Sequence, residues 1–318
     1  MPQGFEPMAR GAMNSASATK PQILRGMLMV MSAVAIFSVV DVLSKFLTRS
    51  YPVALVVWAR YAFHLLLVMV VLGPRYGLAL VRTARPGAQI LRGLSLTVAS
   101  ILFISALKYM PLAESTAIAF IAPLLVTLMS VFFLKERVEL ARWVAVCCGF
   151  VGVLFIIRPG SDVFSWAVLL PLGNAIAFAA YQILTRRLAG LESPYVSIFY
   201  SGLIGMLILS ATLPYSWILP QNALDSAAFV VLGMLAGIGH LILIKAYDHA
   251  PASRLAPFGY SQLIWVMLIG FVVFGDFPDH WSLVGIVILV ASGIYTATHQ
   301  RIADWLQRAE QTNLPPNA

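Results

Sequence analysis

The sequence predicts an all-α integral membrane fold of ten transmembrane helices, arranged as two inverted five-helix repeats. Three observations carry this prediction. First, residues 93–154 match residues 233–294 at a constant offset of 140, so that Gly93 falls on Gly233, Ala106 on Ala246, Pro111 on Pro251 and Glu136 on Asp276. Earlier segments match after small shifts: Val42-Leu43-Ser44-Lys45 with Ile183-Leu184-Thr185-Arg186, and Tyr51-Pro52 with Ser193-Pro194. Second, the 318 residues are 60% hydrophobic and 11% charged, whereas a soluble domain carries roughly a quarter charged residues. Third, each half holds five apolar stretches, an odd number, so the second copy must sit upside down relative to the first. Inverted copies joined in one chain are how secondary transporters are built, with the substrate site between the copies near mid-bilayer.

A helix needs about 20 mostly apolar residues to cross the hydrocarbon core. The stretches that meet this are 25–47, 52–72, 89–108, 112–134 and 140–157 in the first half, and 165–185, 194–213, 226–246, 253–274 and 281–299 in the second. The expected organisation is a tail over 1–24, a first repeat over 25–158, a second over 159–299 and a C-terminal tail over 300–318. Short connections rich in Pro and Gly separate the spans, as at Gly73-Pro74, Pro111, Pro159-Gly160 and Pro251. In the C-terminal tail, Ile302, Trp305, Leu306 and Ala309 share one helical face, the pattern of a helix lying on the membrane interface.

With the N-terminus inside, 16 Lys and Arg fall in inner segments, Arg92 among them, and 4 in outer ones: Lys45, Arg49, Lys108 and Arg158. That asymmetry places both termini in the cytoplasm of a multi-pass protein of the inner (plasma) membrane. The net charge of +8 is thereby an orientation signal, and nucleic acid is not an expected partner. Trp217 and Trp281 fit interfacial anchors. The N-terminal apolar run is too long for a signal-peptide core and is expected to be retained. The two cysteines, Cys147 and Cys148, are adjacent within a span and form neither an ordinary disulfide nor a metal set. No HExxH, GxSxG, DDxxD or Walker A sequence is present, so the chain is not expected to be an enzyme or to need a metal or cofactor.

Several segments carry a family resemblance: Pro123 through Phe133-Leu134-Lys135-Glu136-Arg137, then Gly149-Phe150-Val151-Gly152 and Arg158-Pro159, with Phe274-Gly275-Asp276, Gly285 and Gly293 as second-half counterparts. Together they resemble the drug/metabolite transporter superfamily, in its ten-span branch with two EamA-type repeats. Asp41-Val42-Leu43-Ser44-Lys45 and Gln89-Ile90-Leu91-Arg92-Gly93 look like members that take up S-adenosylmethionine; Tyr51-Pro52 and Trp58-Ala59-Arg60-Tyr61 also look like riboflavin-type members. The second repeat departs from the family pattern in carrying Asp276 where Glu is commoner. The resemblance implies spans 1–4 and 6–9 around a central cavity, with spans 5 and 10 peripheral. Inverted repeats and resemblance together lead to the expectation of a carrier of a small organic metabolite, amino-acid-like or nucleoside-like, working by alternating access, with a proton or a counter-substrate as candidate coupling partners. A flavin or drug carrier in the same fold is the alternative, and an integral-membrane enzyme a remoter one.

Charges in the bilayer core cost at least about 2.5–3.5 kcal/mol and are normally paired or face water. Asp41 lies about 9 Å from the outer end of span one and Arg60 about 12 Å from that of span two, at 1.5 Å rise per residue. Their similar depth predicts an Asp41–Arg60 pair, either facing the cavity to hold a charged substrate group or shuttle a proton, or only locking spans one and two, with Lys45 a turn away. His64, one turn below Arg60, and His240 in span eight are candidate proton carriers. Asn174, Phe178 and Tyr181 share a face of span six with Gln182 beside it; Tyr260, Gln262 and Trp265 gather in span nine, and Thr116 and Phe120 in span four. Aromatic surfaces with a few amides suit a flat, partly apolar ligand, although the same residues serve helix packing. Lys245 reads as a snorkelling cation, and Glu114 and Arg254 as loop-end charges. Gly233 and Gly237 form a GxxxG in span eight, with Gly93 and Thr97 in the matching places of span three.

Overall fold

The computed structural model describes residues 20–133, 140–160, 165–250 and 252–312. The Lys135-Glu136-Arg137 part of the motif and most of the N-terminal tail lie outside the described residues. Among the described residues thirteen α-helices follow in order: α1 (Lys20–Leu47), α2 (Val53–Tyr76), α3 (Pro86–Tyr109), α4 (Leu112–Ala119), α5 (Ala122–Phe133), α6 (Leu140–Ile157), α7 (Leu169–Leu188), α8 (Pro194–Ser210), α9 (Leu213–Ser216), α10 (Ala223–His249), α11 (Ala252–Gly259), α12 (Ser261–Phe274) and α13 (His280–Thr312). Among the described residues, seven segments are long and apolar enough to cross a membrane, and three shorter apolar helices complete the ten spans. Large apolar side chains such as Val70, Val272 and Val287 point outward, as expected where lipid is the solvent.

Spans four and nine are not the continuous helices the hydropathy pattern predicts. Span four breaks between α4 and α5, where Ile121 N–H reaches Ile118 O (3.1 Å) instead of the residue four back. Pro123 is the cause, because it has no N–H and its ring clashes with the carbonyl four residues back, that of Ala119. Span nine breaks at Tyr260, whose N–H bonds Pro257 O at 3.3 Å, with Pro257 inside α11. Phe120 and Tyr260 match at the offset of 140, yet the prolines do not. Each repeat keeps the break and makes it differently. A second departure is α13, which runs unbroken to Thr312; the sequence after Gly293 holds no Gly or Pro until Pro315, so span ten and the start of the C-terminal tail are one helix.

The two-fold relation appears as contacts that exchange with one another. Phe120 and Tyr260 meet ring to ring at 5.3 Å, as only residues beside the axis can. A Cβ on Gly233 would lie 2.4 Å from Phe63, and one on Gly93 would lie 2.8 Å from Ile204. A register of 141 carries Phe63 to Ile204, so each contact is the image of the other. Gly202 against His64 and Gly205 against Tyr61 form a second such pair. The peripheral helices α6 and α13 cross at Gly152 and Gly285, whose backbones touch, and Ser292 Oγ–H donates to Ala145 O in the image position. Small residues let backbones approach where no hydrophobic effect drives helices together.

Candidate functional site

A cavity of about 230 Å³ lies where α1, α2, α3, α7, α10 and the two broken spans converge. Its polar wall consists of Asp41, Arg60, Ser100, Thr116, Asn174, His240 and Gln262, and its aromatic wall of Phe37, Phe103, Phe120 and Phe178. The helix breaks explain why span four can line it on both sides of the bend, from Thr116 to Pro123.

Asp41 is buried, and its carboxylate accepts a hydrogen bond from Gln262 Nε2 at 3.1 Å, joining α1 of the first repeat to α12 of the second. The expected Asp41–Arg60 ion pair is not formed. Both side chains face the cavity and Arg60 acts on Asp41 through space, but they do not touch. The reason is lateral order: α10 packs against both α1 and α2, which have little contact with each other. Lys45, expected near Asp41, instead reaches Asp276 Oδ2 at 2.6 Å. The cavity therefore presents an acid–amide end and a separate guanidinium.

Asn174 Nδ2 donates to Ala99 O at 2.9 Å, which leaves its carbonyl oxygen available to the cavity. His240 Nδ1 lies 2.8 Å from Ala236 O. A carbonyl accepts only, so Nδ1 carries the proton and Nε2 offers a lone pair. The ring stands edge-on to Phe37 at 4.9 Å and to His64 at 5.4 Å. His64 itself is off the wall, buried behind His240, and its Nε2 has no hydrogen-bond partner among the described residues.

Of the other expected residues, Phe120 lines the cavity and four do not. Tyr260 meets the Phe120 ring at a tilt from within the apolar core. Tyr181 turns away to accept a hydrogen bond from Arg92 at 2.9 Å, and only its neighbour Phe178, stacked on it at 5.4 Å, reaches the wall. Gln182 and Trp265 are also off the wall, and Trp265 is 37% exposed on the outside of the bundle.

Sequence reasoning missed Phe37, Ser100 and Phe103. Two of them carried a signal: the offset of 140 puts Ser100 on His240, and 141 puts Phe37 on Phe178. Residues beside a two-fold axis line the same hollow as their images.

Arg92 also departs from expectation. Counted with the inner loops, it is 5% exposed within α3. Its guanidinium donates to Thr185 Oγ (2.8 Å), Ser197 O (2.8 Å), Ser201 Oγ (2.9 Å) and Tyr181 Oη (2.9 Å), and stacks over the Tyr181 ring. Gln89, one turn earlier, donates to Ser197 Oγ at 3.1 Å. No three His, Cys, Asp or Glu gather to hold a metal among the described residues.

Comparison with known proteins bears on the family and the fold. The chain is 30% identical to an S-adenosylmethionine uptake transporter of Rickettsia bellii over 80% of its length and 87% of that protein. It is 30% identical to a riboflavin transporter of Vibrio cholerae, covering 85% of this chain and 91% of the other. A pseudopaline exporter of Pseudomonas aeruginosa is 25% identical over 85% and 94% of the two chains. One solved crystal structure superposes with a TM-score of 0.64 at 20% identity, over 86% of this chain and 98% of that one, which speaks to the fold alone. Residues 24–158 and 165–298 each match the EamA-like transporter family. With both halves matched and a cavity between them, this chain belongs to the EamA-like transporter family.

Proposed function

We propose that the protein is a secondary active carrier that moves a small zwitterionic metabolite, amino-acid-like or nucleoside-like, by alternating access. The observation that carries this reading is the separation of charges in the central cavity. Asp41 with Gln262 offers a cationic group a partner, Arg60 faces a carboxylate without being tied to Asp41, and Phe37, Phe103, Phe120 and Phe178 give a planar ring its walls. Sites of this kind are mostly apolar with a few placed polar groups. S-adenosylmethionine, the substrate named for the Rickettsia relative, combines a sulfonium, an amino acid and a purine ring, and it fits this division of labour. Riboflavin, named for the Vibrio relative, brings a planar ring without the cation. The split charge therefore favours the zwitterion.

At about 230 Å³ the cavity is smaller than the roughly 300–1,000 Å³ usual for small-molecule sites, so loading requires the two repeats, over 25–158 and 159–299, to move apart at one face. Coupling to a proton or counter-substrate would use the titratable groups on the cavity wall, Asp41 and His240. Both termini lie in the cytoplasm of a plasma-membrane protein on this reading.

The test is counterflow in proteoliposomes with labelled S-adenosylmethionine and, in parallel, riboflavin. Exchange of the zwitterion is expected. Asp41→Asn, which keeps shape and removes charge, is expected to cut it at least tenfold, equivalent to about 1.4 kcal/mol. Equal exchange by the Asn variant would refute the role of the acid, and exchange of riboflavin alone would refute the substrate class.

A further inference from the structure

Basic residues are scarce on the outer face of the bundle: Lys45, Arg49, Lys108 and Arg158 are the whole outer set in the sequence. Three of these four line a single second cavity, of about 490 Å³, between the ends of α1 and α3, with Thr48, Tyr109 and Asp276 completing its polar wall. The fourth, Arg158, is bound elsewhere, to Asp279. Orientation pressure alone removes cations from this face, so their convergence on one hollow asks for a ligand.

The contacts show how each cation is held. Lys45 Nζ bonds Asp276 Oδ2 at 2.6 Å and Met110 O at 3.4 Å. The Phe274 ring carries both Lys45 and Arg49, each 4.8 Å from its centroid. Arg49 and Lys108 are exposed to the cavity. Asp276 is the acid on the wall; Glu114, at the start of α4, is a further acid within electrostatic reach of Lys45 and Asp276. Lys45 belongs to the first repeat and Asp276 to the second, so this one ion pair fastens the outer ends of α1 and α12 across the seam between repeats.

We propose that Lys45, Arg49 and Lys108 form an anion-binding vestibule that takes a carboxylate or phosphate group, and that Lys45 is exchanged between Asp276 and the incoming anion. Arg49 and Lys108 supply the first hold, Arg49 through its planar fork. Transfer of Lys45 to the anion releases α12 from α1 and lets the outer seam part. The proposal rests on the carrier reading only in calling the vestibule a way in. Binding is measured without transport, so its failure leaves the central cavity as it stands.

Inorganic phosphate is the probe, titrated at constant ionic strength against the full-length chain in detergent with melting midpoint as readout. A saturable rise is expected in the wild type. Arg49→Gln with Lys108→Gln, both exposed positions, should abolish it while the protein stays monodisperse; either single change serves if the pair does not express. Asp276→Asn, which removes the competitor for Lys45, should lower the half-saturating phosphate concentration by about fivefold, the scale of a partly exposed pair. Repeating the titration in nanodiscs of neutral lipid and of neutral lipid with phosphatidylglycerol separates the sources: a response kept only in the neutral discs assigns the vestibule to lipid headgroups, and one kept in both assigns it to a soluble anion. No response in the wild type, an unchanged response in the Arg49/Lys108 variants, or weaker binding by Asp276→Asn would overturn the proposal.

Discussion

Arg92 and Lys45 are the two cations that the described residues bury, and they stand at opposite ends of the bundle with opposite surroundings. Arg92, near the start of α3, spends its donors on hydroxyls and a carbonyl from α7 and α8, with no acid among these partners. Lys45, at the end of α1, is held by an acid, a carbonyl and a ring beside an open cavity. A cage of three hydroxyls and a carbonyl is rigid and has no competitor for its cation. A single partly exposed ion pair is weak and exchangeable. The contrast teaches where motion belongs: α3, α7 and α8 are joined firmly at the Arg92 end, whereas α1 and α12 are joined reversibly at the Lys45 end. The repeats do not share the device, since the offset of 140 puts Leu232, fully buried, where Arg92 stands.

The sharpest way to break this comparison is Arg92→Leu, which copies the second repeat. Interhelical hydrogen bonds in membranes average about 0.6 kcal/mol, so losing the four donated by Arg92 should cost about 2 kcal/mol and lower the melting midpoint clearly. An unchanged midpoint would mean the cage carries no stability. Asp276→Asn should do the reverse. Its melting change should stay under about 1 kcal/mol, while a cysteine placed at Thr48 reacts faster with a membrane-impermeant thiol reagent. Equal reaction rates would show that the Lys45 end is as fixed as the other.

The smallest effect belongs to Asp279, the cap of α13, which accepts from Ser282 N–H at 2.8 Å and pairs with Arg158. Burial alone would raise its pKa, but the Ser282 bonds and the Arg158 charge outweigh it and hold the carboxyl below the ordinary value of 3.8. A depressed pKa adds stability above the unfolded-state value and loses it as pH falls through the folded one. Asp279→Asn should therefore melt slightly lower than wild type at neutral pH, by on the order of 0.5 kcal/mol for so exposed a pair. The two curves should converge below about pH 4. A gap that persists in acid would assign the effect to something other than charge.

The sequence made the spans and their inversion legible because the bilayer imposes a length and the odd count imposes the flip. Lateral order was not legible. Hydropathy says nothing about which helix neighbours which, so the insertion of α10 between α1 and α2 defeated the Asp41–Arg60 pair although both residues reached the cavity. The helix breaks were hidden because Pro123 and Pro257 are not equivalent positions, and an apolar run looks the same bent or straight. Arg92 was misread because a turn of helix separates a loop cation from a buried one. Tyr181 shared the face of Asn174 by spacing, with Gln182 beside it, but Arg92 draws Tyr181 aside and neither lines the cavity.

The central claim is that the hollow between the repeats is reached from each side of the membrane in turn. Ser100, beside the axis and on the wall, offers the direct measurement. In a chain with Cys147 and Cys148 replaced by Ala, Ser100→Cys reconstituted in proteoliposomes is treated with an impermeant thiol reagent added outside or trapped inside. The account predicts labelling from both sides, slowed from both by the transported zwitterion. Labelling from one side alone, or from neither, would contradict it.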